Sequence, residues 1–309
     1  MELSNSNENE NKISNLSEIP VFEVGFQSLL DAKAFYGTSC DDWNPKSAPF
    51  ILCTKTNRQP KRKGRSKHTY LIDLSITLKS WNRAKQFIEN TASAGGNFMF
   101  VGTQPEAGKL IRRCAEQVEA LHVTKKWKGG TLTNLKITLN SIKRLANLEK
   151  LIKKLDDAEA EGTSINKKEL NLLKKEQIKL DEQYGGIRKL KKLPSALIVF
   201  NMLEHKTAIY EAKKLGIPVI CVSDTLGNPE LSEYFIACNT SSTSALRLFI
   251  INMFSAIETG YRKRDFKLSQ ENLIKEFDTL EEDTNMVVSI TATDIPVVYK
   301  NNKNSLTVK

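Results

Sequence analysis

Cysteine and histidine are scarce in this sequence, and neither is arranged for chemistry. The five cysteines, Cys40, Cys53, Cys114, Cys221 and Cys238, are odd in number and scattered, with no C-x-x-C pair among them. They read as buried thiols of a reducing compartment, which excludes a disulfide framework and a zinc site. The three histidines, His68, His122 and His205, stand at no ligand spacing from a cysteine or carboxylate, so neither a metal nor a cofactor is expected. No apolar run approaches the roughly 18 residues of a membrane span. The longest, Leu248 to Ile257, is broken by Asn252 and Ser255. The first residues, Met1 to Pro20, are rich in Asn, Ser and Glu and contain no Arg, so a disordered tail is expected there and not a secretory signal or an Arg-rich transit peptide. Phosphate-cradling loops are missing too. Gly102 in Phe100-Val101-Gly102-Thr103 lacks the further glycines of G-x-G-x-x-G, and there is no Walker sequence or G-x-S-x-G elbow. Asp224 stands at the end of an apolar run, where doubly wound enzymes place functional groups, but has no partner that makes a catalytic set; turn capping is the expected role.

What the chain does have is clustered positive charge. The net charge is +10, and the segment Val123 to Lys192 holds 18 Lys and Arg against 9 Asp and Glu. Nearly all of the surplus therefore sits in one stretch. Such a stretch is either the solvated face of a lysine-rich coiled coil or a surface for a polyanion, which gains from releasing phosphate counterions. A second basic run, Lys55 to Lys67, carries seven cations (Lys55, Arg58, Lys61, Arg62, Lys63, Arg65 and Lys67) and no acid. It cannot fold alone and is either a solvated loop or one shaped by an anionic partner.

The hydrophobic pattern is that of an α/β protein. Phe98–Val101 with Gly102, Ala196–Phe200, Pro218–Val222 and Tyr234–Cys238 are short continuous apolar runs, as expected of strands covered on both faces, and Val118–Val123 supplies another. Between them lie helical spacings: one opening at Pro105, one ending at Gly216, and one from the Asn239-Thr240-Ser241-Ser242 cap to Thr259. A helix is also expected over Glu271–Leu280. Alternation of strands and helices predicts a doubly wound parallel sheet. The basic segment interrupts it with two amphipathic helices. Leu135, Leu139, Ile142, Leu145, Leu148, Ile152 and Leu155 form one stripe, Leu170, Leu173, Gln177, Leu180 and Tyr184 the other, with a break at Glu161–Ser164. They are expected to pair as an antiparallel hairpin about 40 Å long that buries its stripe against itself and turns its lysines outward.

Two tryptophans lie in basic, turn-rich segments: Trp43-Asn44-Pro45-Lys46 and Lys125-Lys126-Trp127-Lys128-Gly129-Gly130. Each is either a core residue or a platform for a base, beside cations that pair with phosphates.

These segments resemble a known family. W-N-P-K-x-x-P-F-I (Trp43–Ile51), F-V-G-T (Phe100–Thr103), W-x-G-G-x-L-T-N (Trp127–Asn134), S-I-K-R-L (Ser141–Leu145), G-G-I (Gly185–Ile187), L-P-x-A-L (Leu193–Leu197), E-A-x-x-L-G-I-P-V (Glu211–Val219) and the following Asp224-Thr225 are similar, in order, to small-subunit ribosomal protein two of bacteria and organelles. The resemblance covers roughly Val21 to Arg264. It implies a flavodoxin-like sheet with an inserted protruding hairpin, no enzymatic activity, and a structural place between head and body of the small subunit, in contact with small-subunit rRNA and neighbouring ribosomal proteins, without membrane or small-molecule partners. The bacterial member helps to hold ribosomal protein one. The expected layout is a tail over 1–20, an α/β domain over 21–128 and 187–264, the hairpin over 129–186, and an extension over 265–309. The expected rRNA contacts are Trp43, Asn44 and Lys46; the loop cations Lys55, Arg58, Lys61, Arg62, Lys63, Arg65 and Lys67; and Lys125, Lys126, Trp127, Lys128, Thr133, Asn134, Lys136, Lys143 and Arg144. The sequence departs from the family where Phe35-Tyr36-Gly37-Thr38 replaces H-F-G-H and where Lys126 replaces an arginine, which keeps the charge but loses the bidentate fork. Long termini favour the mitochondrial form, the alternatives being a plastid or bacterial counterpart or, from another class, a doubly wound nucleotide-binding enzyme.

Overall fold

The computed structural model describes residues 23–39, 42–55, 69–160 and 167–288. By their contacts, residues group into two compact units, Met1–Arg264 and Asp265–Lys309. The first unit is built on five parallel strands: β4 (Phe98–Val101), β5 (Leu121–Val123), β6 (Ala196–Phe200), β7 (Val219–Ser223) and β8 (Tyr234–Ala237). They lie side by side in the order β5-β4-β6-β7-β8. In order of appearance that is the flavodoxin-like winding, with its topological switch between β4 and β6.

The continuous apolar runs are explained by the two layers that cover this sheet. Alternate side chains go to opposite faces. Phe98, Phe100, Ile198, Phe200, Ile220, Val222 and Ile236 join a cluster with α1 (Phe26–Asp31), α2 (Leu74–Ser93), α3 (Pro105–Gln117) and the start of α7 (Thr243–Val288). Met99, Val101, Leu197, Val199, Val219, Cys221 and Ala237 join a second cluster with α6 (Lys206–Lys214) and the base of the inserted hairpin. A strand buried on both faces has no polar position to alternate. Aromatic pairs reinforce the first layer: Phe100 stacks on Phe254 with centroids 4.1 Å apart, and Trp81 meets Phe249 edge-on at 5.7 Å.

The hairpin consists of α4 (Leu135–Ala160) and α5 (Lys167–Tyr184), which pack on each other. Its seam does more than bury itself. Leu145 and Tyr184 are buried, and Leu135, Ile142 and Leu180 half-buried, in the same cluster as the sheet. The expectation of a self-contained stripe is thus corrected, since the base of the hairpin is part of the sheet's second layer. Farther out, Leu148, Ile152 and Leu170 are buried apart from that cluster. Ion pairs Arg144–Glu176 at 2.6 Å and Lys174–Asp156 at 2.9 Å tie the helices together on their solvent side. Each of these exposed pairs contributes on the order of 0–1 kcal/mol.

One further expectation is corrected. The last helix does not stop at Thr259: α7 runs from Thr243 to Val288, with Gly260 inside it, and the helix expected over Glu271–Leu280 is part of it. A second sheet precedes β4. β1 (Tyr36–Ser39), β2 (Ile51–Lys55) and β3 (Thr69–Ile72) form a separate antiparallel sheet in the order β1-β3-β2. Asp73 then caps α2, its carboxylate accepting from the Ser75 amide at 2.8 Å.

Candidate nucleic-acid interface

The first tryptophan loop is fastened to the C-terminal end of β7. Thr225 there is buried; its hydroxyl lies 2.6 Å from that of Thr38 and accepts from the Thr38 amide at 3.0 Å. The Thr225 carbonyl accepts from the Asn44 amide at 2.9 Å, and the Ser47 hydroxyl donates to the Gly227 carbonyl at 2.8 Å. Asn44 caps the short turn Pro45–Phe50 by accepting from the Lys46 amide at 3.0 Å. Lys46 forms an ion pair with Glu230, which stands in the next short turn, Pro229–Leu231. Trp43 is half-buried, its ring 5.0 Å from that of Tyr70.

The second tryptophan loop, which enters the hairpin, is held by one buried carboxylate on α6. Glu211 accepts from the Trp127 indole N–H at 3.1 Å and from the amides of Gly130 at 2.8 Å, Leu132 at 3.0 Å and Thr133 at 3.2 Å. The Thr133 hydroxyl adds a bond at 3.3 Å. Burial by itself raises the Glu211 carboxyl, but the bonds from the Trp127 indole and the three amides outweigh it and hold the group below the ordinary carboxylate value. Gly130, at φ +88°, supplies the left-handed turn that aims these amides at one point. The motifs W-x-G-G-x-L-T-N and E-A-x-x-L-G-I-P-V are therefore two halves of one latch. Glu211 was not among the expected site residues. The signal was present, because a carboxylate set between Ile209 and Ala212 on the apolar face of a helix requires donors to receive it.

Helix α6 also meets the turn Pro229–Leu231, the one that pairs with Lys46 of the first loop, through the Lys213 ammonium donating to the Glu230 carbonyl at 3.1 Å. Phe50, which ends the turn after Trp43, and Trp127 both pack on the cluster that α6 and the hairpin base share. The exit from the hairpin is equally close-fitting. A Cβ on Gly186 would collide with the His122 carbonyl oxygen, so only glycine fits between α5 and β5.

Around this frame Lys125, Lys126, Lys128, Lys136 and Lys143 are exposed, and none has an ion pair among the described residues. Lys128 sits over the Tyr184 ring at 5.5 Å. Lys126, Trp127 and Lys128 line a cleft of about 470 Å³ with Glu176, Lys179 and Gln183 of α5. Asn134 accepts from the Ile137 amide at 3.4 Å in the first turn of α4, and Arg144 is engaged with Glu176. Lys55 ends β2. Arg58, Lys61, Arg62, Lys63, Arg65 and Lys67 lie outside the described residues.

At the β4/β6 switch, where doubly wound enzymes hold nucleotides, the polar groups bond to one another. The Thr103 hydroxyl donates to Glu204 at 2.9 Å, the Asn201 amide group donates to Glu204 at 2.8 Å, and His205 stands 3.4 Å from the Thr103 amide. A Cβ on Gly102 would lie 2.7 Å from Ile111 Cδ1, so this glycine serves helix packing and not a phosphate. Asp224 accepts from the Leu226 amide and the Thr240 hydroxyl, each at 3.1 Å, which is a turn-capping role. Among the described residues no cluster suited to a metal ion occurs, and no helix is long and apolar enough to cross a membrane.

The geometry is that of a flavodoxin-like sheet whose buried hydrogen bonds hold the entry of a basic hairpin. The family model described as Ribosomal protein S2 matches residues 29–260. The small ribosomal subunit protein uS2 of Protochlamydia amoebophila (strain UWE25) is 33% identical over 261 residues, which span 84% of this chain and 86% of that protein. The protein of the same name from Bifidobacterium adolescentis is 33% identical over 248 residues, spanning 80% of this chain and 86% of its own. The chain belongs to the ribosomal protein S2 family, whose members are structural proteins and not enzymes.

Proposed function

We propose that this chain is a structural constituent of the small ribosomal subunit, that it binds small-subunit rRNA and neighbouring small-subunit proteins, and that its ribosome is mitochondrial. The observation that carries the reading is the Glu211 latch. It fixes the entry of a hairpin around which Lys125, Lys126, Lys128, Lys136 and Lys143 stand exposed without an ion pair among the described residues, and clustered unpaired cations are what a phosphate backbone rewards. The contacts proposed are Trp43, Asn44 and Lys46, the loop Lys55–Lys67, and Lys125–Lys136 with Lys143 and Arg144. The mitochondrial assignment draws on the segments outside the family match, up to Ser28 and beyond Gly260.

The test is subcellular fractionation followed by a sucrose gradient. Co-sedimentation with small ribosomal subunits from purified mitochondria is expected. Recovery with plastid or cytoplasmic ribosomes would remove the organelle from the proposal, and recovery only in soluble fractions, beside intact subunits that lack the protein, would remove the ribosome.

A further inference from the structure

Neither tryptophan loop offers a freely open aromatic face. Trp127 is half-buried with its indole N–H committed to Glu211, and Trp43 is half-buried against Tyr70. Three aromatic side chains among the described residues are largely exposed: Phe26 at 52%, Tyr210 at 55% and Phe266 at 64%. Phe26 belongs to α1, which packs in the opposite layer, and Phe266 belongs to the second unit. Tyr210 stands on α6, the helix that carries Glu211 and meets, through Lys213, the turn paired with Lys46 of the first loop.

Its exposure is not a failure of packing. Helix α6 already buries Ala208, Ile209 and Ala212 completely against the sheet, and Tyr210 occupies the outer face. Lys206 and Lys214 flank it one turn away on either side, both exposed. At 1.5 Å per residue the two ammonium-bearing positions are about 12 Å apart along the axis, with the ring midway. Among the described residues neither lysine has an ion pair, because the carboxylates of this layer are engaged elsewhere. Glu211 is the one carboxylate on the helix and is consumed by the latch. Glu230 pairs with Lys46, Glu204 accepts from Thr103 and Asn201, and Glu233 accepts from the Val219 amide. A flat ring between two such cations on an exposed helix face matches an unpaired base with phosphates on either side.

We propose that Tyr210 is a base-stacking residue, with Lys206 and Lys214 as its phosphate partners, for a single-stranded segment of RNA that crosses α6 between the two tryptophan loops. The proposal rests on the RNA-binding reading above and adds a residue-level platform to it. A duplex keeps its bases stacked internally and cannot use the ring in this way.

The test uses the full chain and two fluorescein-labelled probes, an unstructured RNA oligonucleotide and the duplex of the same sequence, titrated by anisotropy across a range of salt. Tyr210→Ala is expected to weaken single-strand binding by about 5- to 100-fold, to leave duplex binding within about twofold, and to leave the salt slope unchanged. Tyr210→Phe keeps the ring and should bind like wild type. Replacing Lys206 and Lys214 with Gln should instead flatten the single-strand salt slope by roughly 0.7 for each phosphate no longer neutralised. Because the side chains are exposed, circular dichroism should show all three variants folded. Wild-type affinity in Tyr210→Ala overturns the platform while leaving RNA binding in place. Failure of the wild type to bind either probe at low salt overturns RNA binding and the platform together. Normal RNA affinity in Tyr210→Ala combined with poor incorporation into subunits makes this helix face a protein contact and also overturns the proposal.

Discussion

Replacement of Glu211 by Gln is the sharpest test of how the hairpin is held. The substitution conserves volume, so it opens no cavity, and any effect comes from charge and hydrogen bonding. One oxygen remains for the Trp127 indole and Gly130 amide, but an NH2 group now faces the amides of Leu132 and Thr133, which are themselves donors. Thr133 is exposed and Gly130 half-buried, so those groups recover water, whereas Leu132 is buried and does not. A hydrogen bond to a charged group contributes about 1.5–3 kcal/mol, and an orphaned buried donor costs about 1–3 kcal/mol. Orphaning the Leu132 amide gives a loss of about 1–3 kcal/mol for Glu211→Gln, and losing the indole bond as well, at about 1.5–3 kcal/mol, gives about 2.5–6 kcal/mol for Glu211→Ala, against a total stability of roughly 5–15 kcal/mol. Urea unfolding should show the drop as a lower midpoint at unchanged slope, and hydrogen exchange should quicken at the Leu132 and Thr133 amides first. The pH dependence has a definite sign. Because the folded carboxyl is held below its ordinary value of 4.5, its contribution is present above that value and is lost as pH falls through the lowered folded value. The wild type and Glu211→Gln should therefore converge in acid. A Glu211→Gln protein with a wild-type midpoint at neutral pH and unchanged exchange at Leu132 would refute the latch.

Two other variants probe how the hairpin joins the sheet. Gly186→Ala drives a Cβ into the His122 carbonyl, so overpacking of about 1–3 kcal/mol or more is expected, read as a fall in the urea midpoint; a neutral result would mean that the α5–β5 junction is not tightly packed. Ile142→Asp brings a carboxylate into the cluster that the hairpin base shares with the sheet, and should lower the stability of the whole α/β unit by several kcal/mol, with loss of near-ultraviolet circular dichroism at lower urea; melting of the hairpin alone would mean that the two cores are separate.

The sequence by itself determined the α/β class, the position of each strand from β4 to β8 to within a few residues, and the pairing of two amphipathic helices. These follow from local periodicity: continuous apolar runs such as Ala196–Phe200 and the stripe from Leu135 to Leu155 state how each segment is buried, whatever it is buried against. Family membership was also legible, because motifs such as W-x-G-G-x-L-T-N survive in order. Only the tertiary structure decided what those motifs do. Glu211 and Trp127 lie far apart in the chain, and no local pattern reveals that one carboxylate collects an indole and three amides of a distant loop. The same holds for Thr38 and Thr225, and for the hairpin base, whose residues Ile142 and Tyr184 look like a private seam until the sheet is placed beneath them. The antiparallel sheet of β1, β2 and β3 was not legible either, because its strands are short, β1 and β3 have half-buried positions with little alternation, and the pairing carries register shifts, so the sheet draws its order from pairing rather than from pattern. Periodicity reports the fraction of a segment that leaves water; which buried donor meets which acceptor is settled by close packing of distant parts, and that is where the architecture of this interface resides.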